Sequence, residues 1–315
     1  MMLESIASPG LFVGFLAFVL AMLALDLGVF HRNAHQVTIR EAATWSAVWV
    51  AFALLFNAGL FFWFGAERAL EFTAGFLIEK ALAVDNIFVF VVIFTAFGIP
   101  AAYQHRVLFW GVLGALVMRA AFIAAGGAML ARFHWTMYVF GGVLALTGLK
   151  LLFQRQEAAP GENKLVQWVR RWIPATQELH GDKFIVRQGG RRLATPLLMA
   201  LVAVEVSDLV FAVDSIPAIF AVTKDPFIVF TSNIFAILGL RSLYFLLAGI
   251  IDRFVYLKTG LAVVLMFVGA KMLLIDTVKV PIGVSLGVIA GILGLSIVAS
   301  LLRPVATPAL ERAID

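Results

Sequence analysis

Six carboxylates lie inside segments that are otherwise almost wholly apolar: Asp26, Glu79, Asp85, Glu205, Asp208 and Asp214. An ionisable side chain at the centre of a bilayer costs at least about 2.5–3.5 kcal/mol, so such residues face an interior and need a partner. The bases best placed to neutralise them are Lys80, Arg119 and Arg241. That leaves an excess of acid, which a divalent cation or protons would balance. For a single acid, pairing with one of these bases is the simpler explanation. For the whole set it does not suffice.

The available ligand atoms select the class of metal. Oxygens from Asp85, Asn86, Asp208, Asp214 and Asn233, with Glu79 and Glu205 nearby in sequence, suit Mn²⁺, Ca²⁺ or Mg²⁺. His31, His35, His105, His134 and His180 all fall in loops or at segment ends, and there is no Cys, so zinc and copper are poorer matches. In a straight helix Glu205 and Asp208 share a face, whereas Asp208 and Asp214 are about 240° and about 9 Å apart. A shared site must therefore combine two helices, or those helices must break near Asp85 and Asp214. Pro217 favours a break in the second, because it deprives the Val213 carbonyl of its helical donor. Phe88 stands at the equivalent place near Asp85. Asn57 reads as packing glue between helices.

These residues sit in a chain of 315 residues, 62% hydrophobic and 14% charged, where soluble proteins carry about a quarter charged residues. A span needs roughly 20 apolar residues, and nine are expected, near 9–30, 42–64, 70–97, 106–130, 136–153, 196–222, 226–250, 257–275 and 281–302. The fold class is thus an all-α polytopic membrane protein. The first segment lacks the basic start and small-residue cleavage site of a signal peptide and is expected to stay as a helix. Fifteen Lys and Arg fall on one side of this arrangement and four, Arg68, Arg132, Lys224 and Lys279, on the other. The positive-inside rule then puts the amino terminus outside and the carboxyl terminus in the cytoplasm. The net charge of +5 follows from the same bias and calls for no nucleic-acid partner.

Organisation follows from the one long polar stretch. Residues 1–153 form a first membrane half, 154–194 a basic cytoplasmic loop, 195–302 a second half and 303–315 a cytoplasmic tail. Within the loop, Leu165, Trp168, Val169, Trp172 and Ile173 recur at helical spacing, as in an amphipathic surface helix. Phe184 to Leu193 reads either as a short hairpin about Gly189-Gly190 or as a flexible basic linker. Glu79 to Ile87 matches Asp208 to Ile216 without gaps at an offset of 129 residues, sharing an acid, Ala-Val-Asp and Ile. Arg119 corresponds to Arg241 and Gly148-Leu149-Lys150 to Gly269-Ala270-Lys271. The two copies, about 70–153 and 195–275, hold three spans each, so the second enters the membrane inverted, as in many secondary transporters.

The strings Asp26-Leu27-Gly28-Val29-Phe30, Glu79 to Phe90, Val204 to Pro217 and Thr231 to Phe245 resemble the TerC family of bacterial membrane proteins, named for tellurium resistance and including the Alx-type manganese exporters. The resemblance implies an inner-membrane exporter of Mn²⁺, with Glu79, Asp85, Asp208 and Asp214 on the family's acidic motif positions. The expected function is export of a divalent cation, most simply in exchange for protons, with Asp26, Val213, Asn233, Arg119 and Arg241 supporting the site. The chain is not expected to be an enzyme: no H-E-x-x-H occurs and no His shares a span core with the acids. A scaffold or metal-delivery partner for secreted proteins is the alternative. Protein partners are not legible.

Overall fold

The computed structural model describes residues 5–25, 38–153, 167–169, 171, 174–176, 178–188, 190–248 and 254–302. Its helices are α1 (Pro9–Leu25), α2 (Ile39–Phe64), α3 (Ala66–Ala96), α4 (Ala101–Arg132), α5 (Thr136–Phe153), α6 (Pro196–Phe220), α7 (Pro226–Leu238), α8 (Leu240–Leu247), α9 (Leu257–Leu273) and α10 (Ile282–Leu302). A two-stranded antiparallel hairpin, β1 (Ile185–Gln188) and β2 (Arg191–Ala194), turns through Gly190 at φ +78°. Most of the expected amphipathic helix near 165–173 lies outside the described residues, as does the tail 303–315.

Local chemistry sets the helix ends. Thr38 caps α2 by accepting from the Glu41 N–H at 3.2 Å. Proline opens α6 and α7 at positions where its missing N–H costs nothing. Gly98, at φ +63°, closes α3, with the Ile99 N–H returning to the Phe94 carbonyl at 2.9 Å.

The chain is an integral multi-pass membrane protein. Among the described residues, α2, α4, α5, α6 and α10 are each long and apolar enough to cross a bilayer, and α7 with α8, bent by 41°, makes a sixth. Helix α3 has 31 residues, but Glu79, Lys80 and Asp85 interrupt its apolar run. The expected break at Pro217 is absent: α6 continues from Pro196 to Phe220 with the proline inside it. No break occurs at Asp85 either, since α3 runs unbroken from Ala66 to Ala96. The bend falls instead at Gly239, between α7 and α8.

Packing brings the two halves together. α3 packs on α6 and α7, α4 packs on α6 and α7, and α5 packs on α9. The α5–α9 crossing is backbone against backbone. A methyl group on Gly148 would lie 2.7 Å from the Ala262 carbonyl oxygen, and one on Gly269 would lie 2.8 Å from that of Gly141. Small residues at such crossings let helices approach where no hydrophobic effect drives them together. Phenylalanines from α1, α2, α3 and α7 interlock beside this core, with Phe56 and Phe235 centroids 5.1 Å apart and Phe12 edge-on to Phe227 at 4.9 Å.

Candidate functional site

Arg119 of α4 is the hub of a buried polar network. Its side chain is 1% exposed, among the largest fully buried in the protein. Nη2 donates to Asp208 Oδ1 at 2.7 Å and Nε to Asp208 Oδ2 at 3.1 Å, a two-pronged grip on the α6 carboxylate. Nη1 donates to Glu79 Oε1 of α3, to Asn233 Oδ1 of α7 at 3.3 Å and to Ser215 Oγ of α6 at 3.4 Å. The Asn233 Nδ2 amide in turn donates to Glu79 Oε2 at 3.2 Å. Four helices, α3 and α4 of one half and α6 and α7 of the other, thus converge on one guanidinium. Two carboxylates meet one guanidinium at this centre, and the buried Arg241 borders the same small void as Asp208.

Helix geometry explains why these side chains meet. Ser215 lies seven residues beyond Asp208, close to two turns along one face of α6, and both are buried. Asn86 stands in the same relation to Glu79 on α3. It too is buried, and its Oδ1 finds no hydrogen-bond partner among the described residues. An orphaned buried carbonyl oxygen carries a desolvation cost that a ligand would relieve.

Other expected residues lie around this centre. Glu205 is half-buried, its Oε2 without a partner among the described residues, and its carboxylate fills the space that a side chain at Gly114 of α4 would take. Arg241, in the first turn of α8 beyond the Gly239 bend, is buried. It borders a void of about 10 Å³ with Asp208, Gly111 and Leu240, room for roughly one water. Asp214 turns away from Arg119: its Oδ1 accepts from Thr147 Oγ1 of α5 at 2.9 Å. Val213 is 47% exposed, its side chain outside the core. Asp85 belongs to α3, but its side chain, like all of Asp26, lies outside the described residues. Among the described residues no three His, Asp or Glu side chains form a group that could hold a metal ion.

One reading needs correction and another needs detail. Lys80, next to Glu79 in α3, is attracted to the Glu79 carboxylate but makes no direct ion pair among the described residues. Its Nζ donates to the Ala236 carbonyl at 3.0 Å, capping the last turn of α7 where the helix bends, and a methyl on Gly239 would lie 2.8 Å from it. The expectation that no G-x-S-x-G occurs is wrong: Gly283-Val284-Ser285-Leu286-Gly287 has the spacing of a serine-hydrolase elbow. It sits in the first turns of α10 and not on a strand-to-helix turn, and Ser285 is buried, accepting from Lys271 Nζ at 3.0 Å. Ser215 was missed as a member of the network. Its offset of 129 residues from Asn86, inside the repeat, was the signal available.

The family model described as Integral membrane protein TerC family matches residues 64–307, which include every helix of this network. The chain belongs to the TerC family. Similar TerC-type chains include "Uncharacterized membrane protein STKORF319" of Myxococcus xanthus, 64% identical over 300 residues, spanning 95% of this chain and 94% of that one. "Putative membrane-bound redox modulator Alx" of Escherichia coli (strain K12) is 50% identical over 302 residues, covering 92% and 94% respectively. An "Uncharacterized membrane protein" of Rickettsia felis is 42% identical over 290 residues, covering 92% and 96%. No solved structure matches the chain.

Proposed function

We propose that this TerC-family protein exports a divalent cation, Mn²⁺ by its ligand chemistry, from the cytoplasm across a bacterial inner membrane in exchange for protons. The observation that carries the reading is the buried Glu79–Arg119–Asp208 centre, two carboxylates about one guanidinium, assembled from both halves of the chain. Intramembrane ionisable groups at such an interface mark ion paths. In this state Arg119 stands where a cation would. Release of its carboxylates, together with Asp85, Asp214 and the free oxygen of Asn86, would create an all-oxygen site suited to Mn²⁺. Ca²⁺ and Mg²⁺ share that preference. Carboxylates that exchange metal for protons would couple the two fluxes.

Nine spans with two inverted three-helix units fit the packing. Exchanging α3, α4 and α5 for α6, α7 and α9 turns the α3–α7 contact into α6–α4 and maps the α5–α9 contact onto itself. One offset of 121 residues relates Gly148 to Gly269 and Gly141 to Ala262, so the close approach of Gly148 to Ala262 maps onto that of Gly269 to Gly141 at the same crossing. This relation supports alternating access about the shared centre.

A scaffold role is supported by one observation, that Arg119 already satisfies two acids as a structural ion triad would. The name of the Escherichia coli relative raises redox modulation. The 315 residues contain no Cys, so such an effect would not run through their own thiols. Thermal unfolding of the purified protein with added Mn²⁺ tests the proposal. Stabilisation that disappears in Asp214→Asn favours the metal site; an unfolding midpoint indifferent to Mn²⁺ favours the scaffold.

A further inference from the structure

A second polar site lies at the end of the bundle where α3, α5, α7 and α10 begin and α4, α6 and α9 end. A cavity of about 660 Å³ opens there, lined by Arg68, Lys224, Lys271 and Lys279 but by only two carboxylates, Glu71 and Asp225. Both acids are engaged within the fold. Glu71 accepts from Arg68 Nη1 at 2.9 Å and from Thr223 Oγ1 at 2.8 Å. Asp225 caps α7 through the Phe227 N–H at 2.9 Å and also accepts from Ser5 Oγ at 3.1 Å and the Ile6 N–H at 2.8 Å. Lys224 and Lys279 are exposed and make no ion pair among the described residues, and Lys271 spends one proton on Ser285. The lining therefore holds two positive charges in excess, on ammonium groups free to turn toward a ligand.

Depth supplies the second clue. Trp135, at the α4–α5 turn beside the lining residue His134, is 55% exposed, and Phe133 and Tyr138 flank it at the surface. Such amphipathic aromatics belong at the level of lipid headgroups. A cavity of this charge repels a divalent cation and attracts a phosphate, for which lysine ammonium groups serve as point-charge donors.

We propose that this cavity is a phosphate-binding site, taking either the headgroup of an anionic phospholipid or free phosphate. The proposal is independent of the Glu79–Arg119–Asp208 centre. The test uses the full chain, purified in neutral detergent and stripped of lipid, with its unfolding midpoint followed during titration of phosphatidylglycerol, phosphatidylcholine of the same acyl chains, or inorganic phosphate. Phosphatidylglycerol should raise the midpoint where phosphatidylcholine does not. A matching rise with inorganic phosphate assigns recognition to the phosphate alone, and its absence assigns the site to lipid. A lysine near anionic headgroups contributes roughly fivefold in affinity, so the surface double variant Lys224→Gln/Lys279→Gln should weaken binding about 25-fold. Lys271→Gln should weaken it further, and Arg132→Gln, exposed outside the cavity, should leave it unchanged. The proposal is overturned if neither probe exceeds phosphatidylcholine, if the double variant binds like the parent, or if Arg132→Gln weakens binding equally.

Discussion

Replacing Arg119 by Met removes the cation that holds Glu79 and Asp208, and leaves two buried carboxylates facing one another. Five hydrogen bonds are lost, three of them to carboxylates, two to Asp208 at 2.7 and 3.1 Å and one to Glu79. Breaking a buried ion network by removing one partner costs about 3–5 kcal/mol, because the remaining charges stay buried and uncompensated. At about 2 °C per kcal/mol for a chain of this length, the unfolding midpoint in detergent should fall by roughly 6–10 °C. Replacing all three groups removes the imbalance, and such neutral substitutes cost little or nothing. Arg119→Met/Glu79→Gln/Asp208→Asn should therefore recover most of that loss while remaining unable to carry metal. Midpoints of parent, single and triple variants, read by tryptophan fluorescence on heating, test this directly. A single variant as stable as the parent, or a triple variant no more stable than the single, would refute the role of Arg119 as the charge that binds the halves.

Other outcomes follow from the same contacts. Gly269→Ala should destabilise by about 1–3 kcal/mol through overpacking, since its methyl would meet the Gly141 carbonyl at 2.8 Å and the Ala145 nitrogen at 2.7 Å; exposed Gly287→Ala, with open space around it, is the comparison. Asp85→Asn and Asp214→Asn should each abolish export while the protein still inserts and accumulates, as judged by vesicle flux beside membrane immunoblots. Reporter fusions should mark residue 175 and the carboxyl terminus as cytoplasmic, as the basic asymmetry requires; a periplasmic signal at 175 would overturn this orientation, and opposite signals at the two positions would remove the inverted repeat as well.

Much of this arrangement was legible where local chemistry decides it. Apolar run length located the helices, and the structure sets ends among them at Pro196, Pro226 and Gly98. The buried acids pointed to α3 and α6, because no other residue type carries so steep a cost in lipid. Pro217 misled for a physical reason. It removes a single backbone bond near the end of α6, and the helix continues through it to Phe220. The true bend at Gly239 had no comparable signal, since a lone glycine in an apolar run is as consistent with close packing. Pairing was the least legible feature. Spacing shows which side chains share a face, but not that Arg119 reaches acids in both halves, nor that Lys80 turns its long stem to a backbone carbonyl 156 residues away. Those choices depend on which helices touch.

Flux decides the central claim. Purified protein, alone in sealed vesicles with an imposed pH gradient, should move Mn²⁺ down or against its gradient at a rate set by the proton gradient, with Zn²⁺ moved poorly and the Asp214→Asn protein moving neither. Vesicles that hold folded protein and pass no Mn²⁺, or that pass Zn²⁺ readily and Mn²⁺ not at all, would contradict it.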